Sequence, residues 1–326
     1  MTGSALAGLD SAEGWDAALA GLMSPSPLLQ SWGWGEVQKQ EGWEVVRLDL
    51  GGALASVQLQ GRGPLRRAYV PRGPVPADRH GLDSLAAWAR AEGLASLTVE
   101  PDAGPELTAV LRELGYRPAR AREPRHTLIV PLQDPEAMLA SFKNKHRYNI
   151  RLALKRGVTV EETSDADEME RQAVATAARQ GIVQARAVYY ERRLRLLPWC
   201  RVYVARHGGE ALAATLVIRH QGRAYYMYGG SNQVRSNLMP TYAVQWAAMT
   251  AAAAAGLREY DLWGLPPDGD PSHPWAGLWQ FKTGFGGEMV EYAGAWELVL
   301  SEPGHRVAGA VEGLRRTAGA LRKLTR

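Results

Sequence analysis

Glu210-Ala211-Leu212-Ala213-Ala214-Thr215, then Gln221-Gly222-Arg223, then Ala224-Tyr225-Tyr226-Met227-Tyr228-Gly229, has a counterpart half a chain away. There Gly52-Ala53-Leu54-Ala55-Ser56-Val57 is followed by Gln60-Gly61-Arg62 and by Ala68-Tyr69-Val70-Pro71-Arg72-Gly73. Each copy runs on into an Ala-rich, Trp-containing helical segment, 82–92 in the first and 242–255 in the second. Each segment stops at a Gly-Leu pair, Gly93-Leu94 or Gly256-Leu257, where glycine supplies the helix end. A strand closes each unit (96–100 and 259–263), and a helical segment precedes each (28–40 and 165–179). Strand, turn, strand, helix, strand occurring twice predicts an α+β fold built from two similar domains with mixed sheets. The expected domains are 1–137 and 138–302, with a C-terminal helix 303–326 packing back on the first.

The chain has 326 residues, 46% of them apolar and 22% charged. That is about two domains' worth of sequence, with enough apolar content for large cores and too much for a disordered protein. A single cysteine, Cys200, excludes a disulfide framework and any CxxC site. It is expected to be a buried strand residue rather than a nucleophile. No apolar run approaches the roughly 18 residues of a membrane span, and the first residues lack the basic-then-apolar pattern of a secretory signal. A cytoplasmic protein is expected.

The net charge of +4 is unevenly placed. Residues 143–156 hold Lys143, Lys145, Arg147, Arg151, Lys155 and Arg156 with no acid, and residues 306–326 carry +5, leaving the remainder at −7. Two basic islands on an acidic body suit a polyanion such as RNA, a diphosphate or an anionic membrane face, or simply a solvated helix face. The tail's Val307, Val311, Leu314, Ala318 and Leu321 are spaced as an amphipathic helix. Docking on the first domain and peripheral attachment to the inner face of a membrane both fit it.

Several chemistries lack their residues. The seven histidines show no metal-ligand spacing, so no metal is expected, and no Gly-x-Ser-x-Gly elbow occurs. Two Q/R-x-x-G-x-G/A matches to the pyrophosphate loop of acyl-CoA enzymes exist, Gln58-x-x-Gly61-x-Gly63 and Arg206-x-x-Gly209-x-Ala211. Both fall between strands, where no helix N-terminus is offered, so they read as turn glycines. Lys282, one of only six lysines, sits in Trp279-Gln280-Phe281-Lys282-Thr283-Gly284-Phe285-Gly286-Gly287. An ammonium among aromatic walls can meet a developing oxyanion; the alternative is a lysine snorkelling at a strand edge.

Asp261-Leu262-Trp263-Gly264, then His273-Pro274-x-x-Gly277-x-x-x-Phe281-Lys282-x-Gly284-Phe285-Gly286-Gly287 and Glu291-Tyr292-x-Gly294, resembles the C-terminal signature of the FemABX family of peptidoglycan bridge aminoacyltransferases. Ser141-Phe142-Lys143-x-Lys145-x-Arg147-Tyr148-Asn149-Ile150-Arg151 resembles the family's basic central motif. Tyr69-x-Pro71-Arg72-Gly73-Pro74-Val75 and Gln30-Ser31-x-x-Trp34 resemble its N-terminal motifs. The resemblance spans about residues 28–300. It implies two juxtaposed GNAT-like (acyl-CoA N-acyltransferase-type) domains of the compact kind, since no heptad hairpin is visible for the helical arm some members carry.

The resemblance further implies transfer of an amino acid from aminoacyl-tRNA to the side-chain amine of a peptidoglycan stem peptide, UDP-linked or lipid-linked, by a monomer using no cofactor. Lys282 would lie near the tRNA acceptor end or the tetrahedral oxyanion, with Phe281 as a packing surface. Glu100 would take the acceptor's proton or hold its ammonium. Arg72, Tyr189 and Tyr228 would contact the precursor. At the two diphosphate-binding positions of compact members this sequence reads Gln38 and Ala185, with Lys39 and Arg186 one residue on, a displacement of about 100° on a helix. Lys143, Lys145, Arg147 and Arg151 would face tRNA phosphates. Two other readings stand beside this one: an acyl-CoA-dependent N-acyltransferase acting on a small amine, and a non-catalytic RNA- or cell-wall-precursor-binding protein.

Overall fold

The computed structural model of the chain describes residues 8–180, 186–266, 268–270, 272, 275–307 and 309–310, the side chains of 179 and 180 excepted. The fold is α+β with two mixed sheets, and the chain divides into two compact units. Unit 1 comprises Met1–Glu123 and Tyr292–Arg326, and unit 2 Pro124–Glu291. In chain order, unit 1 contains α1 (Ala12–Leu22), α2 (Trp32–Gln40), β1 (Glu44–Asp49), β2 (Leu54–Gln60), β3 (Arg67–Pro71), α3 (Arg79–Ala91), β4 (Ser96–Glu100), α4 (Thr108–Glu113) and β5 (Arg117–Pro118). Unit 2 contains β6 (His126–Pro131), α5 (Pro135–Ser141), α6 (Asn144–Lys155), β7 (Thr159–Thr163), α7 (Ala166–Gln180), α8 (Ala187–Leu196), β8 (Cys200–His207) and β9 (Glu210–His220). It continues through β10 (Arg223–Ser231), α9 (Pro240–Ala254), β11 (Glu259–Asp261), α10 (Ala276–Thr283) and β12 (Glu288–Glu291). The chain then returns to unit 1 as β13 (Trp296–Val299).

Among the described residues, the sheet of unit 1 has strand order β1-β2-β3-β4-β13-β5 and that of unit 2 β12-β6-β11-β10-β9-β8-β7. Read from β8, the second sheet repeats the first: two antiparallel hairpin strands, then a parallel pair joined through a helix, then two antiparallel strands. The parallel pairs β3–β4 and β10–β11 carry α3 and α9 as their crossovers. Asp78 caps α3 by accepting from the Gly81 amide at 2.8 Å. Leu82, Leu85, Ala86 and Ala89 then fall on one buried stripe, as helical spacing requires. Pro240 opens α9, where a missing N–H costs nothing, and Ala243, Val244, Ala248, Met249 and Ala252 turn inward.

The strand beside each parallel pair comes from elsewhere in the chain. In unit 2 it is β6, which pairs with β11 and β12, so the unit begins at residue 124 rather than at the expected 138. In unit 1 it is β13, paired with β4 and β5, so the stretch 292–302 belongs to unit 1. Of the tail segment 303–326, residues 308 and 311–326 lie outside the described residues. Cys200 opens β8 and is fully buried, its thiol pushed up to about 12 by burial. The two glycine motifs lie where the sequence put them, in hairpin connections: Gly61 follows β2 and Gly208-Gly209 joins β8 to β9, all at positive φ.

Candidate functional site

In unit 2 the C-terminal signature folds as one hydrogen-bonded assembly. Asp261, buried at the end of β11, accepts from the Thr127 hydroxyl and from the Trp263 amide at 2.7 Å. That bond fixes a turn in which Trp263 takes φ +55°, so the carbonyls of 263 and 264 converge. Lys282 reaches them from the last turn of α10, donating to Gly264 O at 2.6 Å and to Trp263 O at 3.3 Å. The residue is 5% exposed, and the Tyr226 ring lies 5.5 Å from Nζ. The segment is therefore a helix end, and the strand-edge alternative for Lys282 does not apply. An ammonium carries three donors, so one N–H has no partner among the described residues. Burial pulls the amine down to about 8, opposed by the Asp261 charge. At neutral pH the site holds a buried cation with one donor to offer.

Phe281 faces the other way around α10. Its ring meets Tyr242 at 5.3 Å and Phe285 at 5.2 Å, both edge to face. His146, which the sequence reading missed, hydrogen-bonds Phe281 O through Nε2 at 2.7 Å and packs 4.8 Å from the Phe285 ring. Burial, first, and then Lys143 and Lys145 hold its pKa below the usual histidine value, against the Phe281 bond. This packing explains a signature glycine: a Cβ on Gly284 would stand 1.7 Å from the imidazole. Gly284 O also accepts from the Lys143 amide at 2.9 Å, fastening the start of α6 to the end of α10. Phe281 and His146 thus position the helix that carries Lys282.

Tyr189 on α8 and Tyr228 on β10 come together, hydroxyl to hydroxyl, with ring centroids 5.4 Å apart. Tyr190 closes the aromatic group, and the Arg193 guanidinium lies 3.3 Å over the Tyr189 ring with the residue only 1% exposed. Arg193 carried no motif and went unread; its buried charge rests on the ring faces and on Tyr189 O, 2.9 Å away. Arg186 is exposed at the α8 N-cap. Gly181, Ile182, Ala185, His273 and Pro274 of the quoted motifs lie outside the described residues.

On α6, Lys143, Lys145 and Arg151 are exposed. Arg147 is turned back on the preceding helix, donating to Ala140 O at 3.0 Å, to Phe142 O and to Asn144 Oδ1. It caps the C-terminal carbonyls of α5.

In unit 1, Glu100 ends β4 at 2% exposure and accepts three hydrogen bonds. They come from the Arg122 amide at 2.7 Å, the Glu123 amide at 3.0 Å and the Tyr69 hydroxyl at 3.1 Å. Burial raises its pKa against those donors and the Arg72 charge. Glu123, unread in the sequence, is pushed up to about 7 by burial, with Arg72 and Arg122 opposing and Glu100 adding to the rise. Arg72, buried at φ +51°, lays its guanidinium 3.6 Å over the Tyr292 ring. Buried Gln30 holds that turn. Its amide donates to Pro71 O at 2.5 Å and accepts from Ser56 N at 2.7 Å, and a Cβ on Gly73 would strike it at 2.6 Å. Lys39 pairs with Glu36 at 2.8 Å in α2, a carboxylate shared with Arg47. A polar cavity of about 540 Å³ in the same unit is lined by Trp43, Tyr69, Thr98, Arg120 and Arg122 among others.

The FemAB family model matches residues 202–312, which include the Lys282 assembly. Lipid II:glycine glycyltransferases of Staphylococcus aureus strains MRSA252 and USA300 are each 24% identical over an alignment 374 positions long, covering 85% of this chain and 89% of theirs. The crystal structure of FemX superposes with a TM-score of 0.78 at 22% identity, covering 91% of this chain and 98% of that one. L-PGS from Bacillus licheniformis shares the fold at a TM-score of 0.51, 14% identity, and coverage of 85% and 89%. The quoted signatures, the family match over residues 202–312, the relatives aligned over most of both chains and the shared FemX fold all make the chain similar to the FemABX family.

Proposed function

We propose that this protein transfers an amino acid from aminoacyl-tRNA to the side-chain amine of a peptidoglycan precursor stem peptide, building the interpeptide bridge. The observation that carries the reading is Lys282: a buried ammonium, tethered by two carbonyls, with one N–H left over. The relatives named as lipid II:glycine glycyltransferases support it and make a lipid-linked acceptor and glycine the first pair to try.

The reaction is aminolysis of an ester. The acceptor ammonium loses a proton, and the neutral amine attacks the aminoacyl carbonyl, forming the C–N bond. The carbonyl electrons move onto oxygen and then return, breaking the C–O bond to the tRNA ribose, whose oxygen takes up the proton that the attacking nitrogen gives up as it becomes an amide. Lys282 answers the oxyanion with its free N–H in a site of low polarity, where such a bond stabilises most. Phe281 and His146 fix the helix that presents it. For the acceptor's proton the chain offers the carboxylates Glu100 and Glu123. Glu100 is occupied by three donors, and Glu123, titrating near neutrality, is the member suited to exchange. Tyr189 and Tyr228 offer hydroxyls to the precursor.

The test is mass spectrometry of purified protein mixed with a charged tRNA pool and either lipid-linked or nucleotide-linked muramyl-pentapeptide, with acetyl-CoA in a parallel tube. A gain of one amino-acid residue, abolished by RNase, is the expected result. An acetyl gain would replace the proposal with acyl-CoA chemistry, and silence with both acceptors would favour a binding protein.

A further inference from the structure

Helix α6 breaks a local rule. Its N-cap is Lys143, which makes no side-chain capping bond, and its first turn holds no acid but does hold Lys145. Cations at a helix N-terminus oppose the macrodipole, and neighbouring α5 shows the usual remedy, an Asp134 cap. From residue 137 to 160 the sequence contains no Asp or Glu. A helix that departs from its own electrostatic optimum points to something outside it.

The outward face is specific in composition. His146, Asn149, Ile150 and Ala153 are buried. On the opposite side Lys145, Tyr148, Arg151 and Lys155 are exposed, spaced three, three and four apart on one stripe. Tyr148 is 64% exposed. Among the described residues, none of these four side chains has a hydrogen-bond or ion-pair partner. Arg147 and Arg156, the two arginines off the stripe, are both bonded to backbone carbonyls. The structure thus ties down the two arginines beside the stripe and leaves the cations on it free, with a bare aromatic ring between them.

We propose that this face of α6 is a docking surface for an unpaired RNA strand, with Tyr148 as a stacking platform for a base and Lys145, Arg151 and Lys155 as phosphate contacts. The inference deepens the aminoacyl-tRNA reading above and rests on it. An isolated ring flanked by cations at one-turn intervals matches single-stranded nucleic acid, whose bases are free to stack; a duplex hides those faces. A helix lying in a membrane surface buries a broad apolar face there. Here the apolar side is already buried in the core, and the one other exposed apolar residue, Leu154, lies about 120° around the helix from Tyr148.

The test uses the full chain and fluorescence anisotropy with an unstructured RNA oligonucleotide, a duplex of equal length and an uncharged tRNA pool, each titrated against salt. Tyr148→Ala is expected to weaken binding of the oligonucleotide and the tRNA about tenfold with the salt slope unchanged, and Tyr148→Phe to bind as the parent does. Arg151→Ala is expected to lower the slope by about 0.7. Tight oligonucleotide binding that Tyr148→Ala leaves unchanged overturns the proposal. So does co-sedimentation with phosphatidylglycerol vesicles that Tyr148→Ala abolishes while RNA binding persists. Transfer from charged tRNA by the parent, undiminished in Tyr148→Ala at limiting donor, sinks this surface alone. RNA binding through Tyr148 without any transfer would sink the function and leave the surface.

Discussion

Replacing Lys282 by methionine tests the mechanism and the electrostatics together. The side chain is 5% exposed and its pKa falls from the ordinary 10.5 to about 8 because burial disfavours the charged form. The unfolded chain therefore holds the Lys282 proton from pH 8 to 10.5 while the folded one has released it, so this residue's contribution to stability rises with pH across that window. The depression corresponds to about 3 kcal/mol. Methionine removes the titration and leaves Gly264 O without its donor, a loss of about 1–3 kcal/mol that does not vary with pH. In urea unfolding from pH 7 to 10.5, followed by tryptophan fluorescence, the difference between parent and Lys282→Met should widen in the parent's favour by about 3 kcal/mol. Transfer activity moves the opposite way: it should be lost in the variant and should fall in the parent above pH 8, as the oxyanion's partner loses its proton. Parallel stability curves would show that Lys282 is not a buried, strained cation. Full activity in the variant would remove it from the reaction.

Gly284→Ala places a methyl group inside the His146 imidazole and should destabilise unit 2 by about 3 kcal/mol. Adding His146→Ala should recover part of that loss, which a double-mutant cycle in urea would read. Gln30→Ala strips the Pro71 carbonyl and Ser56 amide of a buried partner and should lower the stability of unit 1 by about 3 kcal/mol, seen as an earlier urea transition. Glu123, raised from 4.5 to about 7, binds its proton more tightly folded than unfolded, so stability falls as pH rises from 4.5 to 7. Glu123→Gln should flatten that decline in thermal melts at pH 4.5, 6 and 7.

The repeat was legible because its evidence is local. The Gln-Gly-Arg turns, the tyrosine strands and the Gly-Leu helix stops each reflect short-range backbone preference, and the elements appear within a few residues of where those signals place them: Ser96–Glu100 as read, the two crossover helices beginning two or three residues early and the helices before each copy beginning one to four residues late. The segment around Lys282 stood out as well, since a lysine-poor chain places one lysine among aromatics there. Its conformation was not legible. Phe-Lys-Thr-Gly-Phe-Gly-Gly suits a strand edge as well as a helix end, and only the Gly264 and Trp263 carbonyls and the His146 ring settle which it is. Likewise a run of basic residues says nothing of which side chain turns inward; the carbonyls at the end of α5 took Arg147.

By itself, then, the sequence determined that there are two like α+β units and that neither disulfides nor a CxxC site is available, and it marked out the motif segments from which the proposed chemistry is argued. Tertiary structure alone decided that β13 completes the first sheet and β6 the second, that Gln30 serves as a backbone strut, and that Glu100 is enclosed by donors with Glu123 beside it. The reason is physical: propensity and turn chemistry act over a few neighbours. Strand pairing, burial and the satisfaction of a buried charge depend on groups brought together across 100 residues or more, as Thr127 and Asp261 are.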